Sequence, residues 1–211
     1  MINNELQKRI FSSIILIPTA LFFIIKGSFF FNFFLILCLI ITLYEWYMMS
    51  KKKNYHFFGY LFLLFSFYSA YFIRNDFTAG SYVFLAIMLI CISTDIGGYV
   101  FGKIFRGPKL TKISPKKTYA GVFGGYLLSI IFIYIFNDYL NENFDFKEFI
   151  LVIMISTISQ LGDIVVSYFK RLSKIKDTGK IIPGHGGILD RIDGMIFAFP
   201  FYFIIYLINL K

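Results

Sequence analysis

Seven runs of apolar residues, each close to twenty long, leave this chain little choice of fold. They cover about residues 10–26, 28–49, 55–73, 81–101, 119–136, 148–169 and 191–210. A hydrocarbon layer takes roughly 20 helical residues to cross, and inside it only a helix satisfies its own backbone over such a length. The expected fold is all-α: a polytopic integral membrane helical bundle of about seven transmembrane helices. Composition agrees, because 58% of the 211 residues are hydrophobic and 29 are Phe, with a mean hydropathy of +0.72. A soluble domain of this size does not carry so much apolar surface. The run 55–73 also reads as re-entrant. The first run follows Lys8 and Arg9 as a signal peptide would, but no small-x-small cleavage site follows it, so it reads as a retained helix.

Basic residues set the orientation. With the N-terminus in the cytosol, two Lys or Arg fall in residues 1–9, three in 50–54, six in 102–118 and six in 170–191, leaving four for the opposite side. Seventeen against four is a strong positive-inside bias. The net charge of +9 is then explained by topology and anionic headgroups, and no nucleic acid is expected. Cys38 and Cys91 lie inside apolar runs and read as small hydrophobes. Glu45, one residue before Trp46, reads as half of an interfacial anchor pair whose carboxylate reaches water. On this view residues 1–80 are lipid-facing helices with little chemistry. The chemistry falls in 81–211, with cytosolic loops at 102–118 and 170–190.

Polar residues crowd that cytosolic side. The stretch from Ser167 to Asp193 holds six basic residues, three aspartates, a histidine and four glycines. Asp95 and Asp163 each lie about two turns inside a span, where a carboxylate costs about 2.5–3.5 kcal/mol on insertion scales. Asp190 and Asp193, spaced i,i+3 at the start of the last run, would share a helical face and repel unless a cation sits between them. Four aspartates on the inner side of three helices offer oxygen ligands for a hard cation, with Mg²⁺ first because it pairs with phosphates. Ahead of the fifth run, Ser114-Pro115-Lys116-Lys117-Thr118 puts two ammonium groups and a hydroxyl at a helix N-terminus. That is a phosphate cradle in outline, although two lysines taken alone read first as ordinary positive-inside decoration. The pairs Gly98/Gly102 and Gly121/Gly125 have the spacing that lets helices approach closely. His185 stays open between a phosphate contact, an acid–base group and the cap of a Gly-rich turn.

Read together, Gly162-Asp163, Ser167-x-x-Lys170-Arg171, Lys176-Asp177-x-Gly179 and Pro183-Gly184-His185-Gly186-Gly187-x-Leu189-Asp190-Arg191-x-Asp193 resemble the signature of the phosphatidate cytidylyltransferases, or CDP-diacylglycerol synthases. A second element, Asp95 to Gly102 followed by Ser114 to Thr118, is similar to the same family. The likeness runs over roughly residues 90–200.

The resemblance implies transfer of CMP from CTP to phosphatidate, giving CDP-diacylglycerol and pyrophosphate. It implies Asp163, Asp190 and Asp193 as Mg²⁺ ligands and catalytic groups together with Lys170, Arg171 and His185, and it leaves a second cation open. Substrate contacts would come from Asp95, Ser114, Lys116, Lys117, Thr118, Ser167, Lys176, Asp177, Gly186, Gly187 and Arg191. The expected partners are CTP, phosphatidate and the lipid bilayer, with a homodimer left open. The Phe, Ile, Asn and Lys bias reads as that of an AT-rich bacterial genome. The expected location is therefore a bacterial inner membrane, with the site on the cytosolic side.

Two departures stand out. Tyr119-Ala120-Gly121 replaces the common Trp-Glu-Gly, so no carboxylate role passes to position 120, and Gly194 stands where the family often has Ser. Two rivals fit less well. A CDP-alcohol phosphotransferase needs D-x-x-D-G-x-x-A-R, which Asp190 to Gly194 begins and Phe197-Ala198-Phe199 breaks. A cation or phosphate transporter would spread its charges toward mid-bilayer or both faces, whereas these crowd one side.

Overall fold

The computed structural model describes residues 14–15, 18–76, 80–111, 113–182 and 186–209. Its helices are α1 (Ser28–Ser50), α2 (His56–Asp76), α3 (Gly80–Phe105), α4 (Tyr119–Leu140), α5 (Phe146–Leu172), a single turn α6 (Leu189–Ile192) and α7 (Met195–Asn209). Residues 18–26 are helical as well. Among the described residues there is no strand, only two isolated bridges, so the chain is all-α. Five helices, α1 to α5, are long and apolar enough to cross a membrane. The run that also read as re-entrant is one 21-residue helix, α2. The first expected span lies partly outside the described residues.

The last expected run is not one helix. α6 stops at Ile192, Asp193 and Gly194 form a turn, and α7 is 15 residues long with Pro200 inside it. The cause is local: Oδ1 of Asp193 accepts from the N–H of Gly194 at 3.0 Å, and an Asp-Gly pair favours a turn. Asp190 therefore lies in α6 and Asp193 in the turn, not on one face of a continuous helix.

The chain resolves into two compact units. The first comprises the described residues up to Ser81 together with Lys170–Ile192. In it α1 and α2 form a hairpin over residues 51–55. Across that hairpin the Trp46 indole N–H donates to the His56 carbonyl at 2.9 Å, and Ser50 Oγ lies 2.7 Å from His56 Nδ1. At the far end of α2, Arg74 donates to the Ile24 carbonyl through Nε (3.0 Å) and Nη2 (2.9 Å). A cation thereby satisfies an orphan carbonyl at the end of the 18–26 helix. Glu45 and Trp46 are 1% and 6% exposed. This corrects their reading as an interfacial anchor pair: the indole N–H ends on backbone, and the carboxylate is taken up by the polar segment of its own unit.

The second unit comprises Tyr82–Phe169 together with the described residues from Asp193 on. α3 and α4 meet backbone to backbone. A Cβ on Gly97 would overlap the Gly124 carbonyl, and one on Gly121 would lie 2.7 Å from Gly98 O. The close approach expected from Gly98 and Gly121 is present, with Gly97 and Gly124 as its tightest point. Thr94 Oγ1 and Ser156 Oγ, 2.8 Å apart, tie α3 to α5. Gly162 on α5 leaves room for the Asp193 carbonyl, which would be 2.9 Å from a Cβ there. At the other end Tyr82 donates to Asn137 Oδ1 at 2.8 Å, and Asn137 in turn donates to Glu148.

Candidate active site

In the second unit the chain leaves α3 through Arg106 (φ 53°) and Gly107 (φ 93°) and turns back on itself. Three backbone bonds shape the return: Leu110 N to Lys117 O (2.8 Å), Lys117 N to Ser114 O (3.0 Å) and Tyr119 N to Pro108 O (3.3 Å). The return delivers Thr118 to the start of α4, where its Oγ1 accepts from Gly121 N at 3.1 Å as an N-cap. A cavity of about 270 Å³ opens beside it, and Asp95, Ser114, Lys116, Lys117, Thr118 and Asp163 all line it. Six of the residues chosen from sequence thus surround one space. Lys117 Nζ lies 2.5 Å from Asp163 Oδ2 and donates to the Gln160 carbonyl at 3.2 Å. Ser167 donates to Asp163 Oδ1 at 3.3 Å, along the same face of α5.

The first unit holds the loop that joins α5 to α6. Two carboxylates fold it inward. Glu45 Oε1 accepts from Ile188 N at 2.9 Å, and Oε2 accepts from Leu189 N at 2.8 Å and Thr178 Oγ1 at 3.0 Å. Asp190 Oδ2 accepts from Thr178 N (2.7 Å) and Gly187 N (3.0 Å) and lies 3.1 Å from Thr178 Oγ1, whose one proton either carboxylate can take, while Oδ1 accepts from Lys170 Nζ at 2.9 Å. Burial raises the Asp190 carboxyl, but the bonds from Lys170, Gly187 and Thr178 outweigh it and hold the group below its ordinary value. The loop comes this close because side chains are absent: a Cβ on Gly187 would lie 2.5 Å from the Glu45 carboxylate oxygens, and one on Gly186 (φ 89°) 2.8 Å from Asp190 Oδ2. The N–H groups of Gly186 and Gly187 accordingly have acceptors inside the loop, at Ile182 O and Asp190.

The other sequence-chosen residues are placed as follows. Lys176, Asp177, Arg171 and Arg191 are exposed, and Arg171 donates to Ile175 O at 3.1 Å at the end of its own helix. Asp193 is 8% exposed. His185 lies outside the described residues. Sequence reasoning gave no role to Thr178 and misread Glu45. Both had a signal: a carboxylate inside an apolar run, and a hydroxyl beside the Lys176-Asp177-x-Gly179 motif.

Among the described residues no group of three or more His, Cys, Asp or Glu side chains is arranged around a common ion position. Asp163 and Asp190 each hold a lysine ammonium instead. The donor chemistry nevertheless suits Mg²⁺, which takes carboxylate oxygen. Within the second unit Asp163 opens on the cavity and the Asp193 backbone packs on its neighbour Gly162; within the first, Oδ1 of Asp190 accepts from Lys170.

Residues 7–75 and 53–209 match the model of the cytidylyltransferase family. The chain belongs to that family. Among its relatives, a protein named phosphatidate cytidylyltransferase from Rickettsia bellii is 35% identical over 211 residues, covering 96% of this chain and 91% of the relative. Proteins of the same name from Staphylococcus epidermidis and Haemophilus influenzae are 42% identical over 121 residues and 40% over 129. Against these two the chain spans about half of the relative's length, 46% and 45%.

Proposed function

We propose that this protein transfers CMP from CTP to phosphatidate, releasing pyrophosphate and forming CDP-diacylglycerol. The observation that carries the reading is the cavity of the second unit. There a capped helix N-terminus, two lysines and an intramembrane aspartate converge at the end of apolar helices. A phosphate oxygen of the lipid attacks the α-phosphorus of CTP, the bond to the bridging oxygen breaks, and pyrophosphate leaves. The nucleophile is already anionic, so catalysis rests on positioning and charge neutralisation. Lys116 and Lys117 with the α4 N-terminus take phosphate oxygens in the cavity. Lys170, Arg171, Lys176 and Arg191 neutralise the remaining phosphate charge. Asp163, Asp190 and Asp193 would hold Mg²⁺, whose contribution is to offset charge on the phosphates.

The bilayer topology belongs to the same proposal. About seven passes with a cytosolic N-terminus put both basic loops at the inner face of a bacterial membrane, and the seventeen-to-four bias supports that choice. CTP then arrives from the cytosol and phosphatidate from within the leaflet.

The test is pyrophosphate release by purified protein in detergent, with phosphatidate, CTP and Mg²⁺ each omitted in turn. Turnover should need all three and fall at least 100-fold in Asp163→Asn. Turnover without phosphatidate would indicate a different acceptor and overturn the reading, and an unaffected Asp163→Asn would remove the aspartate from it.

A further inference from the structure

We propose that Glu45 of α1 is the positioning residue of the α5–α6 loop, holding its backbone in the shape that presents Lys176 and the adjoining Arg191 of α6 to phosphate. The inference rests on the reading of that loop as part of a cytidylyl-transfer site. Glu45 is 1% exposed, and among the described residues its carboxylate accepts from Ile188 N–H and Leu189 N–H and lies 3.0 Å from the Thr178 hydroxyl. These partners lie 133 to 144 residues away in sequence, so the contact is tertiary and is specified by nothing local.

The carboxylate does more than fill space. It accepts at both ends of the loop, Thr178 on one arm and Ile188 and Leu189 on the other. The Thr178 hydroxyl, which has one proton, lies within bonding distance of both Glu45 and Asp190. The loop is therefore closed around two acid groups joined through one hydroxyl, and Asp190 passes the constraint on to Lys170. Gly179 and Gly187 give way to Glu45: Cβ atoms there would lie 2.7 and 2.5 Å from its oxygens. A water-facing anchor would need neither glycine nor inward-pointing amides.

This makes an acceptor-only requirement that substitution can read. Gln has the shape of Glu but replaces one acceptor oxygen with an NH₂ donor. Whichever way the amide is turned, that donor meets at least one backbone N–H. A space-filling role predicts no change in Glu45→Gln. The positioning role predicts at least a tenfold fall in kcat/KM for CTP, and it predicts faster hydrogen exchange at the Ile188 and Leu189 amides. Exchange in α3 and α4 should stay near wild type. Thr178→Val, which removes the hydroxyl that lies on both Glu45 and Asp190, should lower kcat/KM by a smaller factor; if Glu45→Gln does not fold, Glu45→Asp, which keeps both acceptors but shortens their reach, decides the matter by the same two readouts.

Unchanged kcat/KM in both variants overturns the proposal. So does a loss of activity with unchanged exchange at residues 188 and 189, which would place Glu45 elsewhere in the chemistry. If wild-type protein releases no pyrophosphate, the cytidylyl-transfer reading fails. In that case the exchange data alone decide whether Glu45 holds the loop, and unchanged amides sink it.

Discussion

Lys117 holds two groups on α5 at once, the Asp163 carboxylate and the Gln160 carbonyl, three residues apart. Lys117→Met keeps the length of the side chain and removes its charge, leaving Asp163 with Ser167. A fall in kcat/KM of roughly 100-fold is expected, the size seen when one donor to a developing charge is lost, and the steady-state assay with CTP checks it. Asp190 offers a pH test. Lys170 and the loop amides hold its carboxyl below its ordinary value, so its stabilisation is complete above the unfolded value and is lost as pH falls through the lower, folded one. Fluorescence of the sole tryptophan, Trp46 in the same unit, should hold steady from neutral pH to about pH 4 and change below it. The acid transition should move in Asp190→Asn. The residues legible in sequence at this scale, Asp95, Lys117 and Asp163, are charges whose place in or beside an apolar run demanded a reason. Glu45 made the same demand, but Trp46 next to it suggested an interface, and no local pattern records partners more than 130 positions away.

Helices were read from apolar length alone, and that signal placed α1 to α5 well because each is a long run without breaks. It failed at the last run, whose start was set too early: Asp193-Gly194 favours a turn, and the apolar helix begins only after it. The α3–α4 crossing was legible as glycine spacing, but not its tightest point, because spacing rules do not fix helix rotation. Gly97→Leu should force the two backbones apart and destabilise the unit by several kcal/mol, more than the 1–3 kcal/mol typical of core overpacking, since backbone and not a side chain stands in the way. Thr118→Ala removes only a cap, with an expected cost of about 1 kcal/mol. Thermal unfolding in one detergent separates the two; equal midpoints would argue against the crossing as the stronger element.

For the whole molecule, the all-α membrane class and the family were both readable, one from composition and the other from about thirty residues of motif. The grouping of Lys170–Ile192 with the N-terminal helices was not, because it depends on tertiary hydrogen bonds and not on sequence order. The proposed topology makes its own prediction. In a background without Cys38 and Cys91, cysteines at the exposed positions Lys52 and Lys174 should react with an impermeant maleimide only from the cytosolic side. A cysteine at exposed Asn141 should react only from the other. Labelling of residues 52 and 174 from opposite faces would refute the arrangement.

The distance between Glu45 and its partners also has a consequence in time. α1 leaves the ribosome long before Leu189 exists, and at about 5–20 residues per second the 144-residue separation takes roughly 7 to 30 s to make. Throughout that interval a carboxylate destined for burial sits in a membrane helix without its donors. Nascent chains halted before residue 178 should accordingly be cleared by membrane proteases faster than chains halted after residue 192. Glu45→Leu should lengthen the lifetime of the shorter ones even though it impairs the finished protein. The residue that orders the mature loop would then be the one that makes the unfinished chain perishable.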